Sequence, residues 1–267
     1  MLKWAGGKRS LLPSIMDKIP DNFNKYMEPF VGGGAMFFEL RNRDLISSAI
    51  LSDLNLDLIS LYTIIRDRPG ELIESIENID YKNNKEDFNA ARDEFNSDPT
   101  PVRKAALMMY LNRHCFNGLY RVNLSGKFNV PFGRYNNPNI PSNDQIMEVS
   151  GALKGVELRY SDFETVMREA KKGDFIYLDP PYQPISETSF FTSYSSGGFD
   201  DKEQRRLAKT FRDAAKAGVF LMLSNSNSPL IMELYSDFNI SNVLAARNIN
   251  SNGKGRGKIN EVLITNY

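Results

Sequence analysis

The 267-residue chain has a single cysteine, Cys115, and a single histidine, His114. One thiol excludes a disulfide framework and a cysteine-rich metal site. One imidazole argues against a histidine metal site or a Ser-His-Asp triad. Net charge is missing too: 33 Lys and Arg stand against 33 Asp and Glu, a formal charge of +0. No global field draws such a chain to nucleic acid, so any such binding must use a local basic patch. No apolar run approaches the roughly 20 residues that span a bilayer, the N-terminus has no signal-peptide pattern, and no internal repeat is present. These absences give the expectation of a soluble, cytoplasmic protein (host-cell cytoplasm for a phage-encoded chain) with no metal and no membrane partner; a monomer is expected besides, though no feature of the sequence fixes the oligomeric state.

What the chain does have is organised around Asp179-Pro180-Pro181-Tyr182. The preceding Phe175-Ile176-Tyr177-Leu178 is a short apolar, β-branched and aromatic run that reads as a buried strand. Pro181 has no N–H and a fixed φ, and Pro180 is biased to an extended conformation by the proline after it. The strand tip therefore offers a carboxylate, a carbonyl with few ladder partners and a ring, held stiffly together. A planar amino group needs such a set: two acceptors for its hydrogens and a face on which its ring stacks. A proline-punctuated strand end with a capping Asp is the plainer alternative.

Two segments upstream suggest a cofactor. Trp4-Ala5-Gly6-Gly7-Lys8 opens the chain, with Trp4 either a docked anchor or a pocket wall, and Lys8 able to pair a carboxylate. Glu28-Pro29-Phe30-Val31-Gly32-Gly33-Gly34 then reads as a short strand and a glycine turn leading into a helix at 35–40. Such a turn puts backbone amides against a bound cofactor. The run 46–51 reads as the second strand, with Asp53 at its tip. An acid about 20 residues past the glycine turn can accept from ribose hydroxyls, or Asp53 can cap the helix expected over 56–65. Later, Asp162 and Phe163 follow a strand at 156–160 and are placed to hold an adenine ring.

Between these parts, 69–113 is polar and helical in pattern, with helices expected at 71–79, 85–95 and 102–113 and no strand signal. A hairpin follows, bracketing Ser125-Gly126. No acid occurs from Arg113 to Asn143, while Arg113, Arg121, Lys127 and Arg134 interleave with Phe116, Tyr120, Phe128 and Tyr135. Basic residues among rings and amides fit DNA: phosphate pairing, a wedge between bases, and Arg reading guanine. A hairpin packing its rings on the helices is the alternative. The Ser/Thr/Gly-rich stretch 184–199 reads as a lid or binding loop. A helix is expected at 200–217, with strands at 219–223, 239–245 and 261–266. Arg247, Lys254, Arg256 and Lys258 lie in a glycine-rich loop able to track phosphates or simply to be solvated.

Taken in order, these motifs resemble the Dam-type DNA adenine-N6 methyltransferases of the α group: Lys3-Trp4-Ala5-Gly6-Gly7-Lys8, the Glu28 to Gly34 segment, Asp53-Leu54-Asn55, Asn117-Gly118-Leu119-Tyr120-Arg121, Phe128-Asn129-Val130-Pro131-Phe132-Gly133-Arg134-Tyr135, and Asp179-Pro180-Pro181-Tyr182. The resemblance implies an α/β fold, a Rossmann-like mixed seven-stranded sheet with helices on both faces, plus an inserted mainly helical domain carrying a β-hairpin at about 118–135. The catalytic domain would be 1–56 with 145–267, and the target-recognition domain 57–144. It implies S-adenosyl-L-methionine as donor, S-adenosyl-L-homocysteine as product, and double-stranded DNA as partner, with 5′-GATC-3′ as target, base flipping and direct in-line transfer. Asp179, Pro180 and Tyr182 would be catalytic. Trp4, Lys8, Phe30, Gly32, Gly34, Asp53, Asp162, Phe163 and Asp179 would hold the donor. Arg113, Phe116, Asn117, Leu119, Arg121, Pro131 and Arg134 would face DNA, with Phe116 the wedge (members often have Tyr) and Arg121 the guanine reader. The rival readings are cytosine-N4 methylation and a catalytically silent DNA-binding module. Cytosine carbon-5 chemistry is disfavoured, because Cys115 does not follow a proline.

Overall fold

The computed structural model of the chain describes residues 2–4, 7–8, 11–184, 199–246 and 258–267, the side chains of 244–246 and 258–260 excepted. Of the loop expected over 184–199 and the basic loop expected over 247–258, residues 185–198 and 247–257 lie outside the described residues.

Short apolar runs become the strands of one seven-stranded sheet: β1 (Tyr26–Glu28), β2 (Ala49–Asp53), β3 (Val156–Tyr160), β4 (Phe175–Leu178), β5 (Phe220–Ser226), β6 (Asn239–Ala246) and β7 (Lys258–Thr265), in the spatial order β3-β2-β1-β4-β5-β7-β6. β1 pairs parallel with both β2 and β4, and β4 parallel with β5. β7 runs antiparallel between β5 and β6. The sheet is therefore mixed, as the resemblance implied. All four residues of β4 are buried, which suits a central parallel strand covered on both faces.

β2 starts three residues later than the apolar run suggests. The carbonyls of Ile46 and Ser47 accept from the Arg41 guanidinium instead, at 3.1 and 2.9 Å. Asp53 does not cap the helix that follows. Asn55 does, accepting from the Leu58 amide at 3.1 Å.

The chain divides into two compact units, one of 8–54 with 159–267 and one of 1–7 with 55–158. The first holds nearly all of the sheet. On one of its faces Met27, Ile50, Ile176, Leu178, Leu221, Leu223, Val262 and Ile264 pack with Phe163, Val166, Leu207, Phe211, Ile231 and Leu234. Those partners come from the helices Phe163–Arg168, Asp201–Lys216 and Pro229–Leu234. Of these, Asp201–Lys216 is amphipathic, with its N-terminus capped by Asp200.

The second unit is built around the helix Pro101–His114, buried all round from Ala105 to Asn112 and packed by the helices Leu56–Asp67, Pro69–Glu77 and Lys85–Phe95. A further helix, Asn143–Ala152, starts with a capping box between Ser142 and Gln145. The hairpin over 118–135 is looser than two continuous strands. It turns at Asn123–Lys127, where the Asn123 amide donates to the Lys127 carbonyl at 2.9 Å, and carries one bridge between Val122 and Phe128.

Candidate active site

In a sheet whose strand order reverses between β1 and β4, ligands bind beyond the C-terminal ends of the strands at that switch point. The motifs singled out in the sequence end on those two strands. β1 ends at Glu28 and runs into the glycine turn, and β4 ends at Leu178, one residue before Asp179.

The glycine turn uses conformations closed to most side chains. Gly32 has φ 44° and Gly34 φ 66°, and Gly34 is the N-cap of the helix Ala35–Asn42. A glycine cap has no side chain to bond the first amides of the helix. Glu28 supplies the acceptor instead: Oε2 takes the Phe37 amide at 3.1 Å and the Tyr26 hydroxyl at 2.8 Å. Glu28 is 2% exposed, and burial pushes its carboxyl up to about 8, the Tyr26 bond opposing. Across the turn, Asp53 Oδ2 accepts from the Gly32 amide at 3.0 Å, and the Val31 amide donates to the Ser52 carbonyl at 2.9 Å. The tip of β2 thus fixes the turn, and Asp53 stands at the turn as its spacing suggested.

Phe30 leans its ring on Phe163, with centroids 5.4 Å apart, and on the edge of Phe199 at 5.6 Å. Phe163 is a core residue, with the Arg206 guanidinium 4.1 Å from its ring centre. Asp162 caps the helix Phe163–Arg168 through the Glu164 amide. Both of its oxygens also meet Arg206, at 2.7 and 2.8 Å, which holds the carboxyl below its ordinary range.

At the β4 tip the Lys8 ammonium lies 2.8 Å from Asp179 Oδ1 and 4.5 Å from the centre of the Tyr182 ring. Burial raises the Asp179 carboxyl above its ordinary value, and Lys8 opposes that rise. The corner behind is held by a buried amide network. Gln204 Nε2 donates to the Pro181 carbonyl at 2.9 Å, Asn225 Oδ1 accepts the Gln183 amide at 3.1 Å, and the Ser226 hydroxyl donates to the Gln183 carbonyl at 2.6 Å. Among the described residues no donor reaches the Pro180 carbonyl between them. The Tyr182 hydroxyl donates to Glu261 Oε2 at 2.6 Å.

The other unit holds Trp4 and the basic, aromatic hairpin. Trp4 stacks on Tyr120 at 6.0 Å, and Tyr120 donates to Asp57 at 2.5 Å. Asn112, buried, clamps Lys3 through its backbone amide at 2.9 Å and its carbonyl at 2.7 Å, and donates to the Gly118 carbonyl at 3.2 Å. Phe116 begins a short 3-10 turn and is 44% exposed. Asn117 within it has φ 55°. Arg121, Pro131 and Arg134 are exposed, while Arg113 and Leu119 are half-buried. The Arg121 fork is held by Asn129, Nε to Oδ1 at 2.7 Å. Cys115 is buried, its thiol pushed up to about 11 by burial, which leaves it unsuited to nucleophilic attack.

The sequence reading gave no role to Glu28, Asn112, Gln204 or Glu261. The one available signal was an acid inside or beside an apolar strand run, as at Glu28 and Glu261. Nothing local marks the two amides.

Similarity to known proteins agrees with this arrangement. A model of the D12 class N6 adenine-specific DNA methyltransferases matches residues 4–249. The Type II methyltransferase M1.LlaDCHI of Lactococcus lactis subsp. cremoris is 45% identical, over 99% of this chain and 94% of its own length. The Type II methyltransferase M.MjaIII of Methanocaldococcus jannaschii is 43% identical over 100% and 98%. The DNA adenine methylase of Escherichia coli K12 is 37% identical over 98% and 93%.

Proposed function

This chain belongs to the D12 class N6 adenine-specific DNA methyltransferases and methylates adenine in DNA, and we propose that its donor is S-adenosyl-L-methionine, its target 5′-GATC-3′ in duplex DNA, and its route base flipping with direct transfer. The observation that carries this reading is the convergence at the switch point: a positive-φ glycine turn on β1, Asp53 on β2, and Asp179 with Lys8 at the tip of β4. Those groups fit the donor's chemistry. Gly32 and Gly34 let backbone come close, Asp53 offers acceptors to ribose hydroxyls, Phe30 offers a ring face and Lys8 pairs a carboxylate. When bound, S-adenosyl-L-methionine supplies an electrophilic methyl group on a sulfonium.

The residues of the corner do the rest. An adenine amine inside a stacked duplex is out of reach, so the base leaves the helix and stacks on Tyr182. Asp179 and the Pro180 carbonyl each accept one amine hydrogen. This localises the nitrogen lone pair and offsets the positive charge that develops on N6, and the proton that N6 loses on gaining the methyl group would pass to water. Lys8 favours the ionised form of Asp179 and holds it in place, and a bound donor's carboxylate would be a second partner for the same ammonium. Holding the reacting atoms in line supplies the remainder through proximity. On the other unit, Arg121 reads a guanine edge from the hairpin, Phe116 is the wedge, and Arg113, Asn117, Leu119, Pro131 and Arg134 position the duplex.

The test is methylation of a GATC duplex with labelled donor beside single-base variants of the site. Labelled N6-methyladenine confined to GATC supports the proposal, and equal transfer to the variants contradicts the assigned target.

A further inference from the structure

We propose that Glu261 is a positioning residue for the reaction: its carboxylate, on β7, pins the Tyr182 hydroxyl and so fixes the face on which the extruded adenine stacks. The inference rests on the reading of Tyr182 as that stacking platform.

The backbone of the corner is stiff, but backbone stiffness does not set a ring. Pro180 and Pro181 restrict φ, and Gln204, Asn225 and Ser226 satisfy the groups around them. The described hydrogen bond of the phenol goes elsewhere. The Tyr182 ring has two described partners: the Lys8 ammonium 4.5 Å from its centre, and Glu261 Oε2 at 2.6 Å from its hydroxyl. Lys8 is a mobile kind of group, a flexible stem with a compact charge, and in the proposed mechanism it turns to the donor. Glu261 is the fixed one. It stands on the strand between β5 and β6, facing Ser226 on one side and Val243 on the other. The next residues, Val262, Leu263 and Ile264, are buried.

A phenol donating to a carboxylate makes a charge-assisted bond, shorter and stronger than one between neutral groups. Burial and the charges of Asp179 and Glu261 hold the Tyr182 hydroxyl above the ordinary phenol value, so it stays a donor. A ring anchored at its far end turns less freely about its side-chain torsions. The stacking face is therefore set before the base arrives, and less ordering remains when it does.

The experiment uses the full chain, a GATC duplex for single-turnover transfer, and the same duplex with 2-aminopurine in place of the target adenine. Glu261→Ala, Glu261→Gln, Tyr182→Phe and the double variant Glu261→Ala with Tyr182→Phe are compared with the parent. Loss of the anchor in Glu261→Ala lowers the rate about tenfold and leaves the extruded 2-aminopurine brighter than in the parent, because it is stacked less well. Glu261→Gln keeps an acceptor and stays within about threefold of the parent. The double variant is no slower than Tyr182→Phe, since both changes delete one bond. Losses that multiply in the double variant, or a parent-like rate and emission in Glu261→Ala, overturn the inference. Should Glu261→Ala not fold, Tyr182→Phe removes the same bond, and parent-like behaviour there overturns it equally. A parent that transfers no methyl group overturns the functional reading, and the inference with it.

Discussion

Lys8 and Asp179 form an ion pair of 2.8 Å in which Lys8 is 6% and Asp179 21% exposed. One member lies near the start of the chain and the other at the tip of the central strand, so the pair ties the first motif to the catalytic one. Burial raises the Asp179 carboxyl, and the neighbouring Lys8 ammonium holds it down.

Replacing Lys8 by Gln therefore has two consequences. The donor binds more weakly, and the Asp179 carboxyl titrates at a higher pH than in the parent. The proposed role of Asp179 needs the carboxylate, so the acid limb of the kcat/KM profile moves to higher pH. Calorimetric titration with donor and a pH–rate profile measure the two effects. An unmoved acid limb would show that Lys8 does not govern Asp179.

Glu28 carries a prediction for stability. Its carboxyl is raised from 4.5 to about 8 in the fold. The folded state therefore holds a proton that the unfolded chain has released, and stability falls as pH rises through that window. Glu28→Gln keeps the shape without the proton, so its thermal midpoint declines less between those pH values than the parent's does. Parallel midpoint curves would show that Glu28 stays ionised.

Gly34 has φ 66°, and a side chain there must adopt the left-handed conformation. Gly34→Ala costs about 1–2 kcal/mol of folding stability and weakens donor binding, because the turn must relax. Denaturant unfolding with and without donor reports both. A variant as stable as the parent would mean the turn adjusts freely.

Arg121 stands exposed on the hairpin, with its fork held by Asn129 at 2.7 Å. Arg121→Ala should lose roughly 1–3 kcal/mol of discrimination at one base pair of the site. Rates on the matched duplex and on each single-base variant measure it. Equal discrimination by variant and parent would exclude Arg121 as the reader of that base.

Much of this was legible in the residues. β3 and β4 and the helix Lys85–Phe95 fall where the apolar pattern and flanking turn signals place them. Strands buried on both faces announce themselves by composition alone. The helices Asn143–Ala152 and Pro229–Leu234 did not. The first buries only Ile146 and Ser150, and the second is six residues long, so neither carries a periodic stripe. Asp53 had two local readings, and the fold removes the helix cap, because Asn55 takes that place and Asp53 accepts from the amide of Gly32, 21 residues earlier. The tie between Tyr182 and Glu261 spans 79 residues and leaves no local trace. Amide networks behind the corner, such as Gln204 with Pro181, depend on helix and strand meeting in space.

The most direct measurement is methyl transfer to a GATC duplex by the parent and by Asp179→Asn, with the methylated nucleoside identified by mass. The account predicts N6-methyladenine from the parent, and a rate lower by about a hundredfold or more from a variant that still folds and still binds donor. Transfer at the parental rate by Asp179→Asn would contradict it.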